Sequence, residues 1–305
     1  MTRAVIVATI TIVMRKLVPE KRSLIVSSLV EGNSISSTAR LCGVSKLTVL
    51  RLLADVGCLC RDYHDVAVRG LRSKRVQVDE VWSFIGGKEK AKKAGADVHG
   101  DAWVWIGIDA DSKLCVSYHV GTRGAACARG FMLDIADRVL GRIQLTSDGH
   151  VVYLEAVENA FGFEVDYSQL VKIYGPDSAG NGAEHKYSPG KCNGSKKVPV
   201  IGLPDRDHIS TSYVERQNLT LRMSQRRFTR LTNAYSKRLV NHEHAIALHY
   251  FYYNFIRRHH TLGTTPAVKA GVADREWKMD DLIAMLEDEE RKLNDGGRIN
   301  RADRT

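Results

Sequence analysis

At 305 residues, with 44% hydrophobic and 26% charged residues, the chain has the make-up of a folded globular protein, which excludes a fibrous or wholly disordered one. A formal charge of +10 favours a polyanionic partner. Six scattered cysteines exclude a disulfide framework and suit a reducing cytoplasm.

The first feature along the chain is an apolar run, Ala4 to Val13, that imitates the front of an export signal. It is too short to span a bilayer, and basic residues (Arg15, Lys16, Lys21, Arg22) follow it where a cleavage site would need small ones. No membrane segment is expected. Met14 opens a more natural beginning, so residues 1–13 are expected to be an upstream extension from a mis-called start.

Residues 14–74 read as an all-helical domain. Glu20 to Val30 carries an apolar face ended by Gly32-Asn33. Ser36-Ser37 is expected to cap a short helix to Cys42, Gly43 to make the turn, and Ser45 to cap a third helix, Lys46 to Ala54, closed by Gly57. Small, turn and core residues (Ala39, Gly43, Val44, Val49, Leu52) stand where a helix-turn-helix needs them. Lys46, Thr48 and Arg51 lie off the apolar stripe of the last helix and would face DNA. A plain three-helix bundle fits the same pattern. Ten Lys/Arg against four Asp/Glu over residues 21–75 favour the DNA-binding reading. Cys58 and Cys60 have no second pair at zinc-finger spacing, so no structural zinc is expected.

From Arg75 the pattern turns to strands: Arg75 to Ile85, Ala102 to Asp109 and Leu114 to Val120. A helix over Ala125 to Leu140, a short strand Ile143 to Ser147, a helix Val152 to Phe161 and a strand Leu170 to Tyr174 follow, and another helix begins near Ser212. The periodicity establishes an α/β domain over residues 75–240. Residues 175–207, rich in glycine, proline and lysine (Lys186, Lys191, Lys196, Lys197), form an insertion without period. It either lies along DNA or is a solvated excursion. Residues 241–305 read as a helical region, to about Arg258 and again from Met279 to Leu293, with a disordered tail.

Three strings carry chemistry: Val78-Asp79-Glu80, Thr146-Ser147-Asp148-Gly149, and Tyr213-Val214-Glu215-Arg216-Gln217-Asn218. Each delivers a carboxylate from a different setting, mid-strand, strand end and helix, and three such groups converging can hold a pair of divalent metals that cut and join phosphodiesters. Strand alternation puts Asp79 with Gln77 on one face and directs Glu80 to the Val78 side. A lone carboxylate on a central strand is costly unless a cation meets it; on an edge strand Asp79 would simply sit in water. Ser-Asp-Gly around Asp148 is an ordinary turn string whose value is its position. Asp109 ends the second strand similarly and is set aside. Ser212 to Glu215 also reads as a capping box, which would make Glu215 a cap. Against that, Arg222 and Arg226 fall on the same helical stripe, and seven Lys/Arg with no acid occupy 216–238, a pattern for phosphate contacts rather than for a mixed-charge solvated face.

The run Ile209 to Arg222, continued by Arg226-Arg227-Phe228-Thr229-Arg230-Leu231-Thr232-Asn233, resembles the block around the catalytic glutamate of insertion-sequence transposases of the Asp-Asp-Glu type, and is closely similar to that of the insertion sequence 1 family. Tyr253 to Arg257 with His259 and Thr265-Pro266-Ala267 is similar to the tail shared with retroviral-type integrases, and the resemblance covers about residues 20–275. It implies a ribonuclease H-like, retroviral integrase-like catalytic domain behind an N-terminal helix-turn-helix domain. It implies Asp79, Asp148 and Glu215 as catalytic and metal-binding residues, with two Mg²⁺ (or Mn²⁺) as cofactors. The activity implied is cleavage at terminal repeats and strand transfer into target DNA, a polynucleotidyl transferase reaction. Double-stranded DNA is the implied partner, a homo-oligomer on the DNA ends the implied assembly, and the nucleoid of the cytoplasm the implied location. The 67-residue step from Asp148 to Glu215 is longer than in many such enzymes, and the 175–207 insertion accounts for the excess. His150, His208, His259 and His260 have no required part as a base. The rival readings are a non-catalytic helix-turn-helix regulator or decayed transposase, and a simple nuclease of the same fold.

Overall fold

The computed structural model describes residues 17–87, 100–174, 192–229 and 232–295. The expected start, much of the insertion (with Lys186 and Lys191) and most of the expected tail lie outside them. Three helices lead: α1 (Pro19–Val30), α2 (Ile35–Leu41) and α3 (Lys46–Ala67). Pro19, with φ already fixed and no N–H to lose, starts α1. Ser34 rather than Ser36-Ser37 caps α2, its hydroxyl accepting the Ser37 N–H at 3.0 Å. Gly43, at φ +60°, makes the turn that L-residues resist, and Ser45 caps α3 as expected.

Gly57 does not close α3. The helix runs through it to Ala67, because the glycine is there for close approach: a Cβ at Gly57 would stand 2.4 Å from the His244 Cβ. The same absence of a side chain that suggests a helix end also permits two helices, here α3 and α7 (Leu239–Phe251), to touch.

One six-stranded sheet follows, in the order β3-β2-β1-β4-β5-β6. Its strands are β1 (Arg75–Ile85), β2 (Gly100–Asp109), β3 (Cys115–Gly121), β4 (Ile143–Asp148), β5 (Val165–Tyr174) and β6 (Cys192–Ile201). The β1–β2, β2–β3 and β5–β6 pairs are antiparallel, whereas β4 lies parallel to both β1 and β5. Two expectations are corrected here. β5 begins at Val165 rather than Leu170, and β6 occupies part of the stretch expected to lack structure. β6 has almost no buried residue, so no hydrophobic period marks it; the backbone ladder to β5 makes it a strand.

The helices α4 (Ala125–Arg138) and α5 (Val152–Phe161) cover one face, where Val76, Val78, Phe131, Ile135, Leu145 and Tyr153 meet. The other face packs Val81, Val104 and Ile106 against Val214 and Leu221 of α6 (Ser212–Ser224) and Ile246 and Tyr250 of α7 (Leu239–Phe251). α7 continues as a π-helical turn, Tyr252–Ile256, before α8 (Pro266–Lys269) and α9 (Met279–Asp295). α3 lies along α7 and α1 against α9, so buried residues of α1–α3 are continuous with the α4–α5 face of the sheet. No described helix is long and apolar enough to cross a membrane.

Candidate active site

β1 and β4 are neighbours in the sheet, and both bring carboxylates to one end of it. Asp79 faces the α6 side; its Oδ1 accepts the Glu80 N–H at 2.8 Å and its Oδ2 accepts the Asn218 side-chain amide at 2.7 Å. Asp148 ends β4 and turns its Oδ1 to the His150 N–H at 3.0 Å. Glu80 points to the α4–α5 side, as strand alternation requires, and its side chain is only 1% exposed. The Arg123 guanidinium lies 2.6 Å from its Oε1, and the Tyr153 hydroxyl donates to its Oε2 at 2.9 Å. Even so, one oxygen each from Asp79, Glu80 and Asp148 lie within 4.8 Å of one another, close enough to share a metal ion.

Glu215 reaches the same region from α6 without joining that tight group. It accepts the Thr211 hydroxyl and pairs with the Lys172 ammonium of β5 at 2.8 Å. The capping box that Ser212 to Glu215 could form is absent: Thr211, not Ser212, precedes the helix, the Ser210 hydroxyl accepts only the Ser212 N–H at 3.2 Å, and no described side chain of this segment caps the next two N–H groups. Gln77 of β1 does so instead, its Oε1 accepting the Tyr213 and Val214 N–H groups at 2.8 and 3.2 Å. One strand therefore carries Asp79 and, two residues earlier on the same face, the anchor for the helix bearing Glu215.

Burial pushes the Asp79 carboxyl up to about 7, and the charges of Glu80, Asp148 and Glu215 push it the same way. Crowded anions at a half-buried spot are the condition a divalent cation relieves. Asn218 adds an orphan, since its buried side-chain oxygen has no hydrogen-bond partner among the described residues. The donors are hard oxygens, which fit Mg²⁺ or Mn²⁺ better than a thiolate-loving metal.

The other expected residues are spread over the surface. Lys46 and Arg51 are exposed on α3, while the Thr48 hydroxyl sits 2.8 Å from the Ser45 hydroxyl at the helix cap. Arg222 is half-buried on α6 and has partners of its own. Arg226 does not share its stripe: α6 ends at Ser224, Gln225 is extended, and Arg226 opens a 3₁₀ turn to Phe228. Lys196 and Lys197 are exposed on β6. Asp109 is used within its own turn, accepting the Asp111 and Ser112 N–H groups. His208 pairs with Asp205 at 2.6 Å, and the His259 ring packs against Tyr253. Sequence reasoning passed over Gln77, Arg123, Tyr153, Lys172 and Asn218. Only Gln77 and Asn218 left a signal: Gln77 shares the Asp79 face, and Asn218 lies one helical turn from Glu215.

No family model matches the chain. No curated protein matches it either. Among solved structures it is similar to the Mos1 transposase in a paired-end complex with the left transposon end, at 12% identity over 50% of this chain and 59% of that one, with a TM-score of 0.22. The Mos1 strand transfer complex is alike at 13% identity, 50% and 59% coverage and a TM-score of 0.22. The piggyBac transposase in a synaptic complex with hairpin DNA matches at 10% identity over 94% of this chain and 75% of that one, with a TM-score of 0.38. All are DNA transposases. The chain spans about three fifths of the Mos1 chains it matches.

Proposed function

We propose that the protein is a DNA transposase of the Asp-Asp-Glu type, related to the insertion sequence 1 family, that cuts at the ends of its element and joins them to target DNA. The observation that carries this reading is the placement of Asp79, Asp148 and Glu215. They come from β1, the neighbouring parallel β4 and the helix α6, and each of the other two charges acts on Asp79. The sheet order β3-β2-β1-β4-β5 with β1 antiparallel to β2 and parallel to β4 supports a ribonuclease H-like catalytic domain over 75–240. The α2–turn–α3 pair supports a helix-turn-helix over 14–74, with 241–305 as a helical C-terminal region.

Asp79, Asp148 and Glu215 would hold two Mg²⁺ or Mn²⁺ ions. When bound, such ions activate the attacking water or 3′-hydroxyl and stabilise the leaving 3′ oxygen. The chain's own residues prepare the site. Asn218 orients Asp79 by donating to its Oδ2 at 2.7 Å. Arg123 and Tyr153 hold Glu80 beneath the site, leaving Asp79 as the ligand on the α6 side. The Lys172 ammonium compensates Glu215 at 2.8 Å. Lys46, Thr48, Arg51, Arg222 and Arg226 would contact double-stranded DNA, and two ends held together would require at least a dimer.

The test is incubation with candidate element ends and Mg²⁺ or Mn²⁺, scoring nicked and joined product. Asp79→Asn, Asp148→Asn and Glu215→Gln are each expected to lower both by at least about a hundredfold while end binding persists. Glu80→Gln is expected to retain cleavage. The tight Asp79–Glu80–Asp148 group favours a second ligand set, and loss of cleavage in Glu80→Gln with retention in Glu215→Gln would establish it instead. End binding without any metal-dependent cleavage would leave a helix-turn-helix regulator.

A further inference from the structure

A cleft of about 300 Å³ lies between the leading ends of α2 and α3 and the segment that follows α6. Four cations line it: Lys46 from α3, then Arg226, Arg227 and Lys237 from the opposite wall. The amides of Asn33 and Asn241 add donors, and no carboxylate is among the lining residues. None of the four cations is in an ion pair with a described residue. Arg227 donates to the Ser236 hydroxyl at 3.0 Å, and the Lys237 ammonium sits 3.1 Å over the Tyr235 ring. Most other interior or half-buried arginines here have carboxylates: Arg22 has Glu290, Arg138 has Asp134 and Asp65, and Arg75 has Asp111.

Four like charges converging on a cleft repel one another, and Arg227 bears a desolvation cost that no described carboxylate offsets; burial pulls its guanidinium down to about 10. A bound anion removes both costs. Guanidinium groups beside ammonium groups suit a phosphate, whose several oxygens can take a forked donor and point charges together. The cleft is open, so its anion need not be a small free molecule.

We propose that this cleft holds a phosphate of a nucleic-acid backbone, clamped between Lys46 on α3 and Arg226, Arg227 and Lys237 on the opposite wall. The site is separate from the carboxylate cluster and needs no metal. It makes the leading helices and the segment after α6 grip the same strand.

The proposal rests on the proposed function for the DNA contacts of Lys46 and Arg226; the test uses the full chain in EDTA, where no metal-dependent cleavage occurs, so it can fail while the cleavage reading stands. Binding of a fluorescent oligonucleotide of arbitrary sequence, single-stranded and duplex, is measured by anisotropy across a salt series. The Lys46→Gln, Lys237→Gln double variant changes two exposed side chains and leaves the packed Arg227 alone. Its affinity is expected to fall about tenfold and its log–log salt slope to become shallower by about one. Lys278→Gln with Lys292→Gln removes the same charge elsewhere and is expected to change neither by more than about twofold. Equal losses in the two double variants would overturn the proposal, since only net charge would then matter. Amine-reagent footprinting separates the ligand sources: the oligonucleotide is expected to protect Lys46 and Lys237. Equal protection by inorganic phosphate at matched ionic strength, with oligonucleotide affinity unchanged in the double variant, would make this a free-phosphate site and overturn the nucleic-acid assignment.

Discussion

Asp79 stands between three other carboxylates with its own pKa raised to about 7, and that shift has a sign that can be followed. The unfolded group titrates near 3.8, the ordinary value for an aspartate. Between that value and about 7 the folded chain keeps a proton that the unfolded chain has lost, so stability falls as pH rises across this window. Asp79→Asn removes the penalty. In EDTA at pH 8 the variant is expected to melt a few degrees above the wild type, and at pH 4 the two should coincide. Addition of Mg²⁺ should raise the wild type more than the variant, because the ion replaces the proton as the partner of the carboxylate. Equal melting temperatures at pH 8 would mean that Asp79 is solvated and the anions are not crowded. Lys172 belongs to the same scale of argument. Its ion pair keeps Glu215 compensated while, among the described residues, Asp79 and Asp148 have neutral hydrogen-bond donors.

At the scale of elements, two contacts decide where the site's helices lie. Gln77 ties the start of α6 to β1, which sets Glu215 relative to Asp79 through a single side chain. Gly57 lets α3 lie against α7 at His244. Gly57→Ala makes the two effects of a methyl group compete. An alanine in a helix interior gains about 1 kcal/mol over glycine, whereas overpacking a tight contact costs about 1–3 kcal/mol. The clash is expected to win, because the added carbon would meet both the Cβ and the backbone Cα of His244, at 2.4 and 2.7 Å, and neither is the end of a flexible side chain. The urea midpoint should drop with an unchanged slope. A higher midpoint would mean that α3 and α7 are not in close contact at this position.

Across the whole molecule the buried histidines set the acid limit. Burial is the first cause lowering His64 and His259 to about 4 and His242 and His249 to about 3. Each is neutral in the fold and takes up a proton on unfolding, so the stability it contributes is complete above the ordinary histidine value of 6.5 and lost as pH falls from there towards 4. Asp79 acts in the opposite direction over much of the same range, but it is one group against four. The melting temperature in EDTA is therefore expected to fall clearly between pH 7 and pH 5. Proton uptake on unfolding, measured by calorimetry in buffers of different ionisation enthalpy, should exceed one proton near pH 5. A flat melting profile, or net proton release, would mean that these rings are accessible to water in the folded chain.

What the sequence by itself determined is local and periodic. Val76 and Val78 alternating with Gln77 and Asp79 marked β1 and told which way Asp79 and Glu80 point, and Ser45 announced the start of α3. Apart from β6, the element order from Arg75 to the helix at Ser212 was legible because those elements bury one face with their own period. Tertiary structure decided everything that depends on a partner far along the chain. Exposed β6 is a strand only because β5 offers its edge, and α3 passes Gly57 only because α7 closes on it. Glu215 was visible as a carboxylate leading a helix, but its surroundings were not: Lys172 comes to it from β5, while β1 supplies both Asp79 and the Gln77 that anchors its helix. Arg226 left the helical stripe because extended Gln225 ends the helix, a backbone choice that no charge pattern records. A side chain's period is written in its neighbours; its partners across the fold are written only in the packing.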